Sequence, residues 1–289
     1  MVVRRDLRTI DELISFATSV AHGDVNRSVP PAVGSTDIRA LQVALAQMVS
    51  SLQRTIATEQ RISKATQQFI GDASHELRTP LTVIQGYSEL LMNPAVTDDQ
   101  RDRALQRVQK EVGRMDVLVN DLLFLAEVSE MPSLVGATVD LSGLVAANAK
   151  DFTIDHPDRS VTLAIEPGLV VSGRLDFFER LIVNALGNIA RHTGDHDPVT
   201  ISLHRDSADL ILRFDDGGPG MPESTYGARP ERFQRFDESR SRATGGSGLG
   251  MSIMADVATA LGGLMTTARS SLGGLALTFS FRSGETPSS

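Results

Sequence analysis

FIGDASHELRTPLTVIQGYSELLM, residues 69–92, is the stretch from which the fold can be worked out. Ile70, Ala73, Leu77, Pro80, Ile84, Tyr87 and Leu91 recur at alternating steps of three and four, the period of an apolar face on a coiled helix. Read backwards, this helix is expected to start near Glu59. Read forwards, it breaks at Asn93-Pro94, after which Thr97 and Gln100 form a capping box for a second helix. That helix repeats the alternation in Leu105, Val108, Val112, Met115, Val119, Leu122 and Ala126. Two long helices with a short turn make an antiparallel hairpin. A single narrow apolar stripe is a poor core, so two copies forming a dimeric antiparallel four-helix bundle are expected.

His75 stands off that stripe. It falls about 200° of rotation past Ala73, among Asp72, Ser74, Glu76, Arg78 and Thr79, and projects away from the seam. Pro80 removes a backbone bond to the carbonyl of Glu76 and is expected to kink the helix one turn beyond His75. Neutral imidazole is nucleophilic at one nitrogen, and near neutral pH that form is populated without a strong base. Glu76 can accept a proton or hold the tautomer, although a carboxylate there also fits an ordinary solvated helix surface.

Towards the N-terminus, Leu7, Ile10, Ile14, Ala17 and Ala21 mark a short helix that ends at Gly23 and the Pro30-Pro31 pair. Ile38, Leu41, Leu45, Met48 and Leu52 mark another. The expected arrangement is two parallel helices joined by an extended connector bearing Val25, Val29 and Val33, and paired with a second copy; a hairpin packed on the downstream domain is the other solution. "MVVRRDLRTI" resembles the cytoplasmic exit of a membrane helix, so the native protein is expected to be membrane-anchored upstream of residue 1 and this chain to be its soluble cytoplasmic part; a natural start at Met1 is the other reading.

Towards the C-terminus, residues 130–136 read as a linker and the pattern then changes. Helices near 141–152, 174–192 and 249–261 alternate with strand candidates at 161–166, 199–204, 210–215 and 275–280, the rhythm of an α/β sandwich with helices on one side of a mixed sheet. A polar tail closes the chain. The whole has 289 residues, 41% hydrophobic and 22% charged, with no cysteine and a net charge of -8. That composition suits about two folded domains, excludes disulfides and thiolate chemistry, and gives no electrostatic reason to bind nucleic acid. No run of apolar residues is long enough to read as a membrane span.

Four pieces of the second domain carry complementary chemistry. Asn184 and Asn188 lie one turn apart, with Arg191 and His192 near the same face; a neutral amide oxygen suits Mg²⁺ held mainly by phosphates and water. Asp216 follows a strand and can accept from an exocyclic amine such as that of adenine, while Gly218 and Gly220 let a flat base approach the backbone. Gly246-Ser247-Gly248-Leu249-Gly250 opens a helix whose amides can cradle phosphates, and residues 236–245 read as a lid. The Gly-Lys-Ser/Thr ending of a P-loop is missing, and so is the strand-leading dinucleotide fingerprint.

Together these pieces resemble the cytoplasmic part of a bacterial two-component sensor histidine kinase. "SHELRTPL" resembles its H box, "NALGNIARHT" the N box, "DGGPG" and "GGSGLGMSI" the two glycine boxes, and "RFQRF" the phenylalanine box. The resemblance implies a multidomain chain. A HAMP parallel coiled coil would occupy 1–57 and a dimeric four-helix phosphotransfer hairpin 58–129; after the linker an α/β sandwich of the Bergerat or GHKL ATPase type, shared with DNA gyrase, Hsp90 and MutL, would occupy 137–283, and a tail 284–289.

It also implies roles. His75 would accept the phosphoryl group, with Glu76 as proton acceptor, and Thr79 would position water for dephosphorylating the partner. Asn188 would ligate Mg²⁺, Asn184 and Arg191 would order the phosphates of ATP, and Asp216 would take the adenine amine. Gly218, Gly220, Gly246, Gly248 and Gly250 would shape the pocket, with His192, Arg235, Phe236 and Leu249 beside it. The implied partners are a second copy and a response-regulator receiver domain, with no nucleic acid.

The chain departs from the family pattern at Ile189, Gly217 and Glu238, the last leaving phosphate neutralisation to Arg235, Arg240 or Arg242. "STDIRAL" departs from it in the HAMP part. An ATPase clamp of the same fold without histidine phosphorylation, and a non-catalytic dimeric scaffold, are the competing functions.

Overall fold

The structure, a computed structural model, describes residues 2–25, 27–31, 35–130, 137–230 and 248–282. Val33, residues 131–136 of the expected linker, the expected lid at 236–245 and the tail lie outside them. The chain divides into two units, residues 1–71 and 72–289.

In the first unit, α1 (Val2–Ala21) is followed by the connector and the start of α2 (Thr36–Met92). Phe16, Val20 and Val49 form a small core, against which Val25, Val29 and Leu45 pack. Gln42 donates to the carbonyl of Pro30 at 2.8 Å and Gln53 to that of Val25, so side chains of α2 satisfy backbone that the extended connector cannot pair with itself. Within one chain the expected stripe is only partly covered, as pairing with a second copy requires: Ile38 is buried and Leu45 packs on the core. Ile14, Leu41, Met48 and Leu52 of that stripe are exposed, and Leu13, Phe16, Val20 and Val49, which lie outside it, are buried. Each helix carries two apolar stripes, and Val25 and Val29 of the connector pack on one of them.

No new helix begins near Glu59: α2 runs unbroken from Thr36 to Met92. Residues 53–68 contain neither Gly nor Pro, so nothing in the sequence stops the first helix. The helix also continues through Pro80, which is buried.

The second unit opens with the hairpin of α2 and α3 (Asp98–Glu130). The capping box is formed reciprocally: the Thr97 amide donates to Gln100 Oε1 at 3.1 Å, and the Gln100 amide to Thr97 Oγ1 at 3.4 Å. Ala104, Leu118, Leu125 and Val128 of α3 are buried, but Leu105, Val112 and Val119, spaced by seven, are exposed.

The α/β layer begins with β1 (Thr138–Asp140), paired antiparallel with β3 (Val170–Ser172). The main sheet has the order β2-β4-β5-β7-β6, from β2 (Val161–Ile165), β4 (Val199–Asp206), β5 (Asp209–Asp216), β6 (Leu264–Arg269) and β7 (Leu275–Arg282). Its pairings are antiparallel except β2 with β4. Helices α4 (Leu141–Asp155), α5 (Leu175–His192) and α6 (Gly250–Ala260) pack side by side, α4 on α5 and α5 on α6. α5 buries Phe177, Phe178, Leu181, Ile182, Ala185 and Ile189, and Phe178 meets Phe281 of β7 edge-on at 5.2 Å. Each fully buried side chain of this size stabilises the fold by about 1.5–3 kcal/mol. The apolar face of α5 is thereby fixed, and its polar face is held in one orientation.

Candidate nucleotide and phosphoacceptor sites

Alternation along β5 separates two adjacent carboxylates. Asp215 is held by Arg213 through two hydrogen bonds of 2.6 and 2.8 Å. Asp216, only 5% exposed, instead accepts on Oδ1 from the amides of Gly218 at 2.9 Å and Leu275 at 3.1 Å. Burial pushes its pKa above the usual carboxylate value; the two amides oppose that rise, and the charges of Asp197 and Asp215 add to it.

Close packing shapes the space around Asp216. A Cβ on Gly274 would lie 2.0 Å from Asp216 Oδ1, and one on Gly218 would lie 2.7 Å from the Thr193 methyl. Gly220 has φ +72°, and a Cβ there would strike the Tyr226 hydroxyl, which accepts from the Met221 amide at 2.9 Å. Behind Thr193 the buried Arg159 donates to its hydroxyl, which in turn donates to the carbonyl of Ile189 at 2.8 Å. The end of α5 is thus tied to the loop before β2.

The other end of the site is built where α5 meets α6. Asn184 Nδ2 donates to the Arg180 carbonyl at 2.8 Å, leaving Oδ1 turned towards Gly250. Arg191 folds back over Gly187, with Nε donating to its carbonyl at 2.8 Å, and burial pushes its pKa down. A Cβ on Gly250 would lie 3.4 Å from Asn184 Oδ1 and 4.0 Å from Arg191 Nη2, so Asn184, Arg191 and the N-terminus of α6 converge. Leu249 is fully buried at the cap of α6, and Gly248 before it has φ +72°. Asn188 is partly exposed one turn beyond Asn184, and His192 is exposed at the end of α5. Arg235, Phe236 and Gly246 lie outside the described residues.

α3 lies against this end. Arg180 forms an ion pair with Asp121 of α3, Arg174 binds Glu127 at 2.8 Å, and Phe124 meets Phe177 edge-on at 5.2 Å. α3 also packs on α6.

On α2, His75 is exposed. Glu76 beside it is partly buried and faces Arg114 of α3 at 3.8 Å. Thr79 Oγ1 donates to the His75 carbonyl at 3.2 Å, one turn along. Among the described residues, those read from the sequence therefore fall into two groups, three on the hairpin and the others on the α/β layer. Gly274, Leu275, Thr193, Tyr226, Arg159 and Asp121 were not read as site residues.

Residues 65–130 match the His Kinase A (phospho-acceptor) domain, and residues 173–285 match the histidine kinase-, DNA gyrase B-, and HSP90-like ATPase family. The chain belongs to the sensor histidine kinases. A probable sensor histidine kinase of Mycobacterium tuberculosis, TcrY, is 33% identical over 93% of this chain and 57% of its own length. The signal transduction histidine-protein kinase BaeS of Escherichia coli is 30% identical over 96% of this chain and 58% of its own. This sensor histidine kinase chain thus spans a little over half the length of these relatives. Its fold is that of the Acinetobacter baumannii histidine kinase AdeS, with a TM-score of 0.55 at 22% identity over 73% of this chain and 98% of that one.

Proposed function

We propose that this chain transfers the γ-phosphoryl group of ATP to His75 and from there to an aspartate of a response regulator. The reading rests on the cradle, in which a buried carboxylate fixed by two amides, Asp216, stands at one end and Asn184, Arg191 and the N-terminus of α6 converge at the other. Asp216 would accept from the adenine amine. The cations and amides at the far end would hold the triphosphate, leaving positioning and charge neutralisation as the main catalytic needs. The imidazole of His75 attacks the γ-phosphorus, the bond to the ADP oxygen breaks, and Glu76 takes the imidazole proton. In the second transfer the regulator carboxylate attacks phosphorus and the phosphorus–nitrogen bond breaks.

The donor set fits Mg²⁺. Among the described residues no cluster of three His, Asp or Glu offers a cage of its own, and Asn188 supplies a neutral oxygen suited to an ion shared with phosphates. The ion would supply neutralisation of phosphate charge. Thr79 would position water for regulator dephosphorylation, since its hydroxyl keeps accepting capacity while it donates to the His75 carbonyl.

The exposed stripe Leu105, Val112 and Val119 supports a homodimeric bundle. We assign 1–57 to a HAMP-like module, 58–129 to the phosphotransfer hairpin and 137–283 to the catalytic domain. Among the described residues no helix is long and apolar enough to cross a membrane. The greater length of the relatives leaves room for an anchor upstream of residue 1.

The test is labelling by γ-labelled ATP. Label retained in base and lost in acid is expected on the wild type and absent from His75→Gln. Stoichiometric label on the variant overturns the assignment of His75.

A further inference from the structure

Arg180, Asn184, Gly187, Asn188 and Arg191 follow one another along α5 at helical spacing, so Arg180 belongs to the same face as the residues assigned to the triphosphate. That face is met by a carboxylate from another helix. Asp121 of α3, only 4% exposed, forms the ion pair with Arg180, and its field also favours the charged form of Arg191. The flanking contacts hold it there, with Phe124 edge-on to Phe177 at 5.2 Å and Glu127 bound to Arg174 at 2.8 Å. The guanidiniums of Arg174 and Arg180 also lie over the rings of Phe177 and Phe124, at 4.5 and 5.4 Å. Among the described residues Arg180 Nε is buried without a hydrogen-bond partner, so within them the pair leaves a donor of this arginine unused. α3 packs on α6 as well as α5, the two helices between which Asn184, Arg191 and Gly250 converge.

A carboxylate and a phosphate are alternative anions for the same donors, and two anions on one poorly hydrated cationic face repel each other. We propose that Asp121 stands in for a nucleotide phosphate: its carboxylate takes the cationic face of α5 that the triphosphate requires, so docking of α3 on that face and binding of ATP oppose each other. The inference rests on the reading of α5 and α6 as the triphosphate site. It makes Asp121 a determinant of nucleotide affinity located on the phosphotransfer hairpin, outside the α/β layer that binds the base. Docking then weakens ATP more than ADP, and leaves the nucleoside untouched because Asp216 lies at the other end of the cradle.

The test is calorimetric titration of the full chain with Mg-ATP, Mg-ADP and adenosine. Asp121→Asn keeps the shape of the side chain and removes its charge. It should tighten ATP binding by about five- to tenfold, the effect of relieving one partly screened like charge, tighten ADP less and leave adenosine unchanged. Glu127→Gln, at an exposed partner of the same interface, should act in the same direction with smaller size and guards against a folding defect at the buried position. Unchanged ATP affinity in both variants overturns the proposal. An equal gain for adenosine also overturns it, because that would mean α3 obstructs the whole pocket. Wild type that binds adenosine no more weakly than ATP sinks instead the triphosphate reading on which the proposal rests.

Discussion

Asp215 and Asp216 differ by one position and by the whole of their electrostatics. The first is neutralised by Arg213; the second is buried against backbone amides with its pKa raised. An acid whose pKa is higher folded than unfolded destabilises the fold once it ionises, so this cost appears as pH rises from the unfolded value through the folded one. Asp216→Asn removes the charge and keeps Oδ1 as acceptor for Gly218 and Leu275, but presents an NH₂ where the adenine amine needs an acceptor. The expected outcome is a melting temperature at neutral pH no lower than wild type, with ATP affinity reduced by at least about tenfold. Inosine triphosphate, which offers a carbonyl in place of the amine, should lose less. Melting curves and titrations with the two nucleotides check this. At Thr79 the change to Ala deletes a hydroxyl and little volume on an exposed helix position. Autophosphorylation should fall little, while decay of the phosphorylated regulator with Mg-nucleotide slows by about tenfold or more. The measurement compares that decay with wild-type and variant protein.

Among the elements, the turn between β6 and β7 contributes to the site through backbone alone. Gly274 donates to the Asp216 carbonyl at 3.1 Å, and its missing Cβ is what lets Asp216 reach the amide of Leu275. Gly274→Ala should therefore cost about 1–3 kcal/mol of stability, as overpacking does, and should weaken ATP binding too; denaturant unfolding and nucleotide titration measure both. No property of the sequence near Gly274 announced this, because the contact joins residues 59 apart through the register of β5 on β7. What was legible was local or periodic. The three-four alternation gave the hairpin, the Thr97-Gln100 pair its cap, and the apolar alternation of β4, β5 and β7 most of the sheet. β1 and β3 have three residues each, too few to show a period, and β6 is a largely exposed edge strand. The start expected near Glu59 was missing because a change of role along a helix needs no change in backbone. Within the proposed site, Asn184, Asn188, Arg191 and Asp216 could be named from the sequence as residue types in order. Thr193, Tyr226 and Arg159 were not, because what they do depends on which glycine or loop lies beside them.

For the whole molecule, Leu105, Val112 and Val119 present a heptad-spaced apolar stripe to solvent. A second hairpin of the same sequence is the expected cover. Leu105→Lys with Val112→Lys puts two charges on that stripe, so sedimentation should show a monomer where the wild type is expected to be a dimer, while titration should show ATP affinity within about twofold, since Val112 lies nine residues before Asp121 on α3, about 13 Å along the helix, and perturbations that far apart add independently. Loss of ATP binding together with dimerisation would mean that the second copy completes the nucleotide site. The pocket rim has an optical consequence. The chain has no tryptophan and two tyrosines. Tyr226 is one of them, its hydroxyl set between the Met221 amide and Gly220 at the end proposed to bind the base, whereas Tyr87 lies on the hairpin helix α2. Near-ultraviolet emission from the native chain therefore comes from one fluorophore beside the proposed adenine pocket and one on the hairpin, so nucleotide entry there should be detectable by intrinsic light without a dye or label.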